Sequence, residues 1–344
     1  MSKKAKPKPK AAVVDENVVT RQIVATNYGK ACKAIGVQVN PHVNEIFRGK
    51  EEDGDLVNLI LEGEDVGTLG SGGVRALTLA IMISFPLVSV WFTNGPYTQL
   101  RYIRIWKQEI GNEGAAAIAS LLQASSGVNI AYLELLDCGI GEDGCRAIAD
   151  VLSLQKAPGL LTLNLDYNLE INDAGVNVLF DGLFNNTALK QLHLDYCDIG
   201  RNGCIKLAQL ISLPACAIEV LSLNGNNIEG EGLHHLSLGL ARSQRLVTLN
   251  LSDNGIRNNI EALTAFRDAL IRSKALAHVD FTFNLIEPDG ANVLLPALTP
   301  ENVKLQSFLV DASLPGDLFQ QLNRARKAEG KKKGKKGGGK KKKK

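Results

Sequence analysis

Residues 218–232 read IEVLSLNGNNIEGEG, and two further stretches follow the same pattern: LKQLHLDYCDIGRNG at 189–203 and LAHVDFTFNLIEPDG at 276–290. Apolar residues occupy positions 1, 4 and 6, Asn or Cys stands at position 9, Ile at 11 and Gly at 15. Position 1 recurs nine times along the chain, at Leu56, Leu100, Ile130, Leu160, Leu189, Ile218, Leu246, Leu276 and Leu305. After a first interval of 44 residues the spacing is 28–30, which indicates a chain of stacked repeats.

Each repeat predicts a short strand, a turn and a helix. Positions 4 and 6 point to the same side of a strand and would face a core. The residue at position 9 can bond main-chain groups of the turn, where an unpaired amide is costly. It is Asn168, Asn226, Asn254 or Asn284 in four repeats and Cys138 or Cys197 in two others. A glycine then opens the helix, at Gly144, Gly175, Gly203, Gly232 and Gly290. Such units bury their apolar faces only by stacking.

This pattern resembles the leucine-rich repeat family, in its ribonuclease-inhibitor-like class. The resemblance covers about residues 56–322 and implies an α/β solenoid. The expected shape is a horseshoe with parallel strands on the inside, helices on the outside and eight or nine repeats. Departures are local: the long first interval, a repeat at Leu246 without the glycine, and a last unit at Leu305 without the turn residue.

The two ends of the chain predict different structures. Residues 18–55 contain a helical apolar pattern, with Gly36 and Pro41 as stop signals, and we expect a helical cap over the first strand. Residues 1–17 are predicted to form a basic and then flexible tail. Residues 326–344 are almost entirely Lys and Gly, a composition that cannot form a core and predicts disorder. The repeat domain is therefore expected at 56–325.

One uncharged segment, residues 76–92, is a candidate membrane span. It contains Pro86 and falls short of the roughly 20 residues that cross a bilayer. We therefore predict a buried helix that ends at Pro86, followed by a buried strand. The GSGG sequence at 70–73 predicts a turn.

Charge is segregated along the chain. Residues 1–10 carry five lysines and residues 331–344 carry ten, with no acid in either stretch. The remaining 24 basic residues stand against 36 acidic ones, so residues 11–330 have a net charge of −12. The chain opens with lysines instead of an apolar signal segment, and its six cysteines suggest no disulfide framework. These features predict a cytoplasmic protein with an acidic body and basic tails.

No enzyme motif is present in the sequence. It lacks HExxH and a GxGxxG between a strand and a helix, and its cysteines fall at core positions of the repeat. We therefore predict a nonenzymatic protein without catalytic, cofactor or metal residues.

The concave face is the predicted functional surface, because side chains at positions 5, 7 and 8 alternate with the core positions. Its middle is acidic and contains two tyrosines, which favours a basic or helical protein partner. The alternatives are a merely solvated polar face and a tail that folds back into the acidic groove. The residues predicted to bind a partner are Trp106, Glu134, Asp137, Asp166, Tyr167, Asp195, Tyr196, Asp253 and Asp280.

The C-terminal lysines are predicted to bind a polyanion. RNA, DNA, anionic lipid and the acidic tails of tubulin are candidates, and the KKKGKK motif also matches a nuclear import signal. Nucleic acid is less favoured, because no aromatic residue stands near the lysines and the body is acidic. These lysines are Lys331, Lys332, Lys333, Lys335, Lys336, Lys340, Lys341, Lys342, Lys343 and Lys344.

A short pattern before the repeats, formed by Tyr28, Cys32 and Gly36, is similar to that of leucine-rich repeat subunits of cilia and flagella. Such subunits occur in radial spokes and in the nexin–dynein regulatory complex. This resemblance implies a scaffold on the axoneme, with basic tails on tubulin. Similarity to Ran GTPase-activating proteins, whose tail is acidic, implies a regulator of an enzyme instead. Similarity to ribonuclease inhibitor implies an intracellular inhibitor or receptor for a basic protein. The expected location is the cytoplasm, at the axoneme, with the nucleus as the alternative.

Overall fold

The computed structural model describes residues 19–50, 53–63, 67–82, 96–123, 129–154 and 159–325. Within these ranges nine parallel strands form one sheet, and their order in the sheet follows the chain. This confirms the predicted α/β solenoid. The strands are β1 (Asn58–Glu62), β2 (Tyr102–Trp106), β3 (Tyr132–Leu136), β4 (Thr162–Asn164), β5 (Gln191–His193), β6 (Val220–Ser222), β7 (Thr248–Asn250), β8 (His278–Asp280) and β9 (Ser307–Leu309).

A helix follows each strand. The helices after the strands are α3 (Gly70–Met82), α4 (Gly111–Gln123), α5 (Glu142–Ser153), α6 (Asn172–Leu183), α7 (Arg201–Ser212), α8 (Glu229–Leu240), α9 (Ile260–Arg272), α10 (Pro288–Leu294) and α11 (Gly316–Leu322). A short 3-10 turn, Leu295–Leu298, extends α10. Two helices, α1 (Arg21–Ile35) and α2 (Pro41–Arg48), precede β1.

The strands pair without any slip in the repeat register. Leu192 of β5 aligns with Leu163 of β4 and with Leu221 of β6, and the same position aligns in every other pair. Side chains at positions 4 and 6 are buried in all nine repeats and pack into one continuous hydrophobic core with the helices. The positions between them are left on the opposite face, which is the predicted concave face.

A close packing of Ile or Leu against Gly starts most of the helices. A Cβ placed at Gly144 would lie 2.7 Å from the Ile140 side chain, so only glycine lets the first helical turn approach this residue. Likewise, a Cβ placed at Gly73 would lie 2.8 Å from the Leu69 side chain. The prediction of a turn at 70–73 is therefore wrong: these residues form the first turn of α3, because Leu69 and Gly73 are the start signal of this repeat.

Buried asparagines connect consecutive repeats. Asn168 Oδ1 accepts the N–H groups of Cys138 and Ile140 at 2.9 and 3.1 Å, and its Nδ2 donates to the carbonyl of Leu135 in the preceding repeat. Asn226, Asn254 and Asn284 are also buried. In the repeats with cysteine, the Cys138 thiol donates to the carbonyls of Ile105 and Leu136. The predicted turn role of position 9 is confirmed in these repeats.

The N-terminal helices lie where a cap was expected. Tyr28 of α1 is buried, contacts Phe47 of α2 edge to face, and its hydroxyl accepts the N–H of Asn40. Gly36 ends α1 with a left-handed φ of 80°. Pro41, expected as a stop signal, begins α2, because a proline at the first helical position loses no hydrogen bond.

Arg324 closes the last strand. Its N–H and carbonyl pair with Phe308 of β9 in an antiparallel bridge, with N–O distances of 2.7 and 3.0 Å. The guanidinium donates to carbonyls of the segment that leads from the 3-10 turn to β9, including those of Leu298, Thr299 and Leu305. The sequence analysis did not predict this bridge between Arg324 and Phe308.

None of the helices in the described ranges is long and apolar enough to cross a bilayer. The strand predicted after Pro86, the N-terminal tail and the C-terminal lysines lie outside the described residues.

Gly239→Ala is expected to destabilise the protein by about 1–3 kcal/mol, because it overpacks the contact between α7 and α8. A Cβ at this position would lie 2.3 Å from the carbonyl oxygen of Ala208 and 2.5 Å from its Cα. These are main-chain atoms, which cannot move away as the end of a flexible side chain can. Gly29→Ala in α1 is the control, since among the described residues nothing beyond the local turn of its own helix lies within 4 Å of its Cβ position. This control should gain about 0.5–1 kcal/mol from helix propensity. Chemical denaturation measures both, and a stabilised Gly239→Ala protein would contradict the close approach.

Candidate functional site

The concave face consists of parallel rows, one residue from each repeat. The sequence predicted rows at positions 5, 7 and 8. The structure adds a row at position 3, which includes Tyr102 and Tyr132, with their rings 6.3 Å apart and edge to face. This row was missed, although the alternation of a strand places position 3 on the same side as position 5.

Row 7 forms a hydrogen-bonded ladder. Asp166 Oδ1 accepts the N–H of Asp195 at 2.7 Å, and Asp195 Oδ1 accepts the N–H of Asn224 at 2.8 Å. Further along the ladder, Asn224 Oδ1 accepts the N–H of Ser252 at 2.9 Å. The hydroxyl groups of Ser252 and Thr282 are hydrogen-bonded to each other. The side chains of this row therefore hold neighbouring repeats in register.

Asp166 is only 8% exposed, which corrects the expectation of a carboxylate open to solvent. Its burial, with the nearby charge of Asp195, raises the pKa of Asp166 to about 7. Leu136 and Ser222 are also buried, although positions 5 and 7 were expected to be exposed. The cause is the short spacing between strands, which leaves neighbouring side chains in the same row in contact.

Row 8 is the exposed row and has an unusual main chain. Asp137, Tyr167, Tyr196 and Asp253 all have a left-handed φ, between 51° and 64°. Each N–H donates to a row-7 carbonyl in the next repeat, as Tyr167 does to Asp195 at 2.8 Å. This regular bond offsets the steric cost of the left-handed conformation, which is about 1–2 kcal/mol per residue.

The first part of the face combines charges of both signs. Arg104 Nε lies 2.5 Å from Glu62 Oε1, and Arg104 Nη1 lies 2.7 Å from Glu134 Oε2. The guanidinium therefore compensates the charge of Glu134. Trp106 is half-buried, and Lys107 Nζ lies 5.4 Å from the centre of its ring. The acidic character predicted for the middle of the face thus starts after Glu134.

The predicted binding residues are distributed unevenly over this surface. Asp137, Tyr167, Tyr196 and Asp253 come together on row 8, whereas Asp166 and Asp195 are engaged in the row-7 ladder. Asp280 accepts hydrogen bonds from the N–H and the hydroxyl of Thr282. The binding role of all nine residues stays a prediction, and the structure identifies row 8 as their most accessible part.

The described cysteines and acids form no metal centre. No group of three or more His, Cys, Asp or Glu side chains in the described ranges is arranged to hold a metal ion. All six cysteines are buried and unpaired, as expected for core residues. Burial raises the pKa of the Cys138 and Cys145 thiols to about 12, so these thiols are protonated at neutral pH.

A family model described as Leucine Rich repeat matches residues 185–208 and 216–237. These two matches fall on consecutive units of the sheet, the β5–α7 unit and the β6–α8 unit. These units are leucine-rich repeats, and the nine strands of the sheet form a leucine-rich repeat solenoid. The predicted ribonuclease-inhibitor-like class of the repeats is supported by the relatives.

Two ribonuclease inhibitors are similar to this leucine-rich repeat protein. The mouse (Mus musculus) inhibitor is 29% identical over 203 residues, and the pig (Sus scrofa) inhibitor is 31% identical over 204 residues. Each comparison covers 58% of this chain and 43% of the inhibitor, so the chain spans less than half the length of these relatives. A solved structure of TLR13 with ssRNA13 has a TM-score of 0.40 and 16% identity, and covers 75% of this chain and 33% of that chain.

The sequence reasoning also missed a position-9 residue of the leucine-rich repeat protein. Gln108 fills this position in the repeat that starts at Leu100 and is buried. Its Oε1 accepts the N–H of Leu69 at 3.0 Å, and its Nε2 donates to the carbonyl of Gly63 at 2.9 Å. The longer side chain makes hydrogen bonds at the place where other repeats have asparagine. Its place at position 9 of the repeat that starts at Leu100 was the available signal.

Proposed function

We propose that this protein is a nonenzymatic scaffold that binds other proteins, as a structural subunit of a ciliary or flagellar axonemal complex such as a radial spoke or the nexin–dynein regulatory complex. The observation that carries the proposal is the separation of charge. An ordered acidic face for a protein partner is joined to lysine-rich ends that suit an acidic surface such as tubulin.

The start of the repeats is consistent with this assignment. Tyr28 and Cys32 are buried in α1, and Gly36 ends the helix. The motif that resembles axonemal subunits therefore forms part of the core next to the first repeat. In this proposal the protein acts in the cytoplasm at the axoneme, and a nuclear location is the alternative.

A second candidate function is an inhibitor or receptor for a basic protein. It is favoured by the similarity to ribonuclease inhibitors over 58% of the chain and by the acidic residues in the middle of the concave face. A regulator similar to Ran GTPase-activating proteins stays a prediction from the sequence.

The test is cosedimentation with microtubules, with and without their acidic C-terminal tails. Three proteins are compared: the full chain, a variant with the ten lysines of 331–344 changed to Gln, and a matched variant with the same lysines changed to Arg. We expect the full chain and the Arg variant to pellet with intact microtubules and to be released as salt is raised.

The Gln variant and the tail-less microtubules should each weaken binding by at least about tenfold, because fewer charges interact. If neither the Gln substitutions nor the removal of the tubulin tails weakens pelleting, the proposed contact between the lysines and tubulin is contradicted. If no protein pellets, the axonemal assignment fails and the inhibitor or receptor function is favoured.

A further inference from the structure

Two tyrosines on row 8 form an exposed stack. The rings of Tyr167 and Tyr196 are 4.9 Å apart and nearly parallel, at 6°. Tyr167 is 49% exposed and Tyr196 is 38% exposed, in contrast to Tyr28 and Tyr97 in the core. Their ring separation matches the spacing of neighbouring strands, about 4.8 Å, so the stack runs along the row.

Gly225 completes this surface, which we call the tyrosine platform (Tyr167, Tyr196 and Gly225). A Cβ at Gly225 would lie 2.1 Å from Cε1 of Tyr196, so the second ring rests against main chain. The N–H groups of both tyrosines are bonded to the next repeat at 2.8 Å. The platform is therefore organised before any partner arrives, which lowers the entropic cost of binding.

Carboxylates stand at both ends of the platform. Asp137 precedes Tyr167 in row 8, Asp253 follows Gly225, and both are exposed. At positions 5, 7 and 8 of the described repeats from Glu134 to Phe283 the sequence contains no Lys or Arg. The distance from Asp137 to Asp253 is four strand spacings, about 19 Å, or some six residues of an extended peptide.

Arginine fits this combination better than lysine. One face of the Tyr167 ring is against Tyr196, and the next residue of the row on its other side is Asp137. A planar guanidinium stacks on an aromatic ring while its N–H groups pair with a carboxylate, whereas an ammonium group is a strongly hydrated point charge.

We propose that the tyrosine platform binds an arginine side chain of an extended basic segment in a protein partner, with Tyr167 as the stacking surface and Asp137 as the carboxylate. The inference rests on the proposed protein-binding role of the concave face and is independent of the axonemal assignment.

The test uses the full-length protein and two labelled nine-residue peptides. One alternates Gly with four Arg residues, and the other has Lys at the same four places. Fluorescence anisotropy at low and at moderate salt measures the dissociation constants. We expect the Arg peptide to bind about three- to tenfold more tightly than the Lys peptide, a preference of the size expected for an exposed stacking contact.

Substitutions at Tyr167 separate stacking from general charge attraction. Tyr167→Ala should remove the preference for Arg while the protein stays folded at the assay temperature, and Tyr167→Phe should keep the preference because the ring remains. Tyr132→Ala is the matched control, since Tyr132 is 43% exposed but belongs to row 3 and packs edge to face against Tyr102. It should leave both peptides unaffected.

Equal affinities for the Arg and Lys peptides would overturn the proposal, and so would an equal loss in Tyr167→Ala and Tyr132→Ala. Loss of the preference in Tyr167→Ala alone would support it. Since no microtubule is present, the result is separate from the cosedimentation outcome, and either hypothesis can fail without the other.

Discussion

Replacing Asn226 with alanine is expected to lower the free energy of unfolding by about 3–5 kcal/mol, because it leaves several buried main-chain groups without partners. The Asn226 side-chain oxygen accepts the N–H groups of Cys197 and Ile199, both at 3.0 Å. Its amide donates to the carbonyls of Leu194 and Leu223, both at 2.9 Å. The side chain is 4% exposed, so water cannot replace these bonds in the intact fold.

Asn227→Ala is the matched control, since the next residue is also an asparagine but is exposed. Its side chain donates to Asp198 on the surface. We expect a change within about 1 kcal/mol for this variant. Equilibrium denaturation followed by circular dichroism measures both, and similar losses in the two variants would mean that the buried hydrogen bonds do not hold the repeats together.

Asp166→Asn is expected to stabilise the protein at pH 8, by about 2–4 kcal/mol, and to have little effect at pH 4. In the unfolded chain this carboxyl has its ordinary pKa of 3.8, whereas burial and Asp195 raise it to about 7 in the folded protein. Below pH 3.8 both states are protonated. Between these values the folded state holds the extra proton, so stability falls as the pH rises through this window.

Asparagine keeps the hydrogen bond of this position and removes its charge. Asn224 already makes the equivalent bond two repeats along the ladder, to the N–H of Ser252. Asp253→Asn is the control, because it removes an exposed carboxylate from row 8. Denaturation of both variants and the original protein at pH 4, 6 and 8 tests the prediction. A gain for Asp166→Asn that is the same at all three values would contradict it.

The repeat period made most of the fold predictable. A spacing of 28–30 residues defines where strands begin, and the apolar positions 4 and 6 define which side is buried. The role of Asn168 and Cys138 followed because the turn has amides that need partners. By contrast, the turn predicted for GSGG is wrong, because these residues begin a helix. Their glycine composition indicates a turn only when the preceding Leu69 is not considered.

The candidate site was less predictable, because it depends on contacts between repeats. Alternation places Asp166 on the concave face, but the bond to the N–H of Asp195 and the resulting burial depend on a residue 29 positions away. Residue type does not predict the left-handed conformation of Tyr167 and Tyr196. Among the three residues of the tyrosine platform only Gly225 is a glycine, the residue type that favours this conformation. Strand pairing brings the tyrosine rings together, and a pattern within one repeat cannot show it.

The bridge between Arg324 and Phe308 has a consequence for assembly. A parallel sheet with an open last strand is a template on which another polypeptide can add its own strand. Here the N–H and carbonyl of Phe308 are already paired with Arg324, and the guanidinium donates to four preceding carbonyls. Growth of the sheet is therefore blocked at β9, and a partner at this end must bind side chains instead of extending the β-structure.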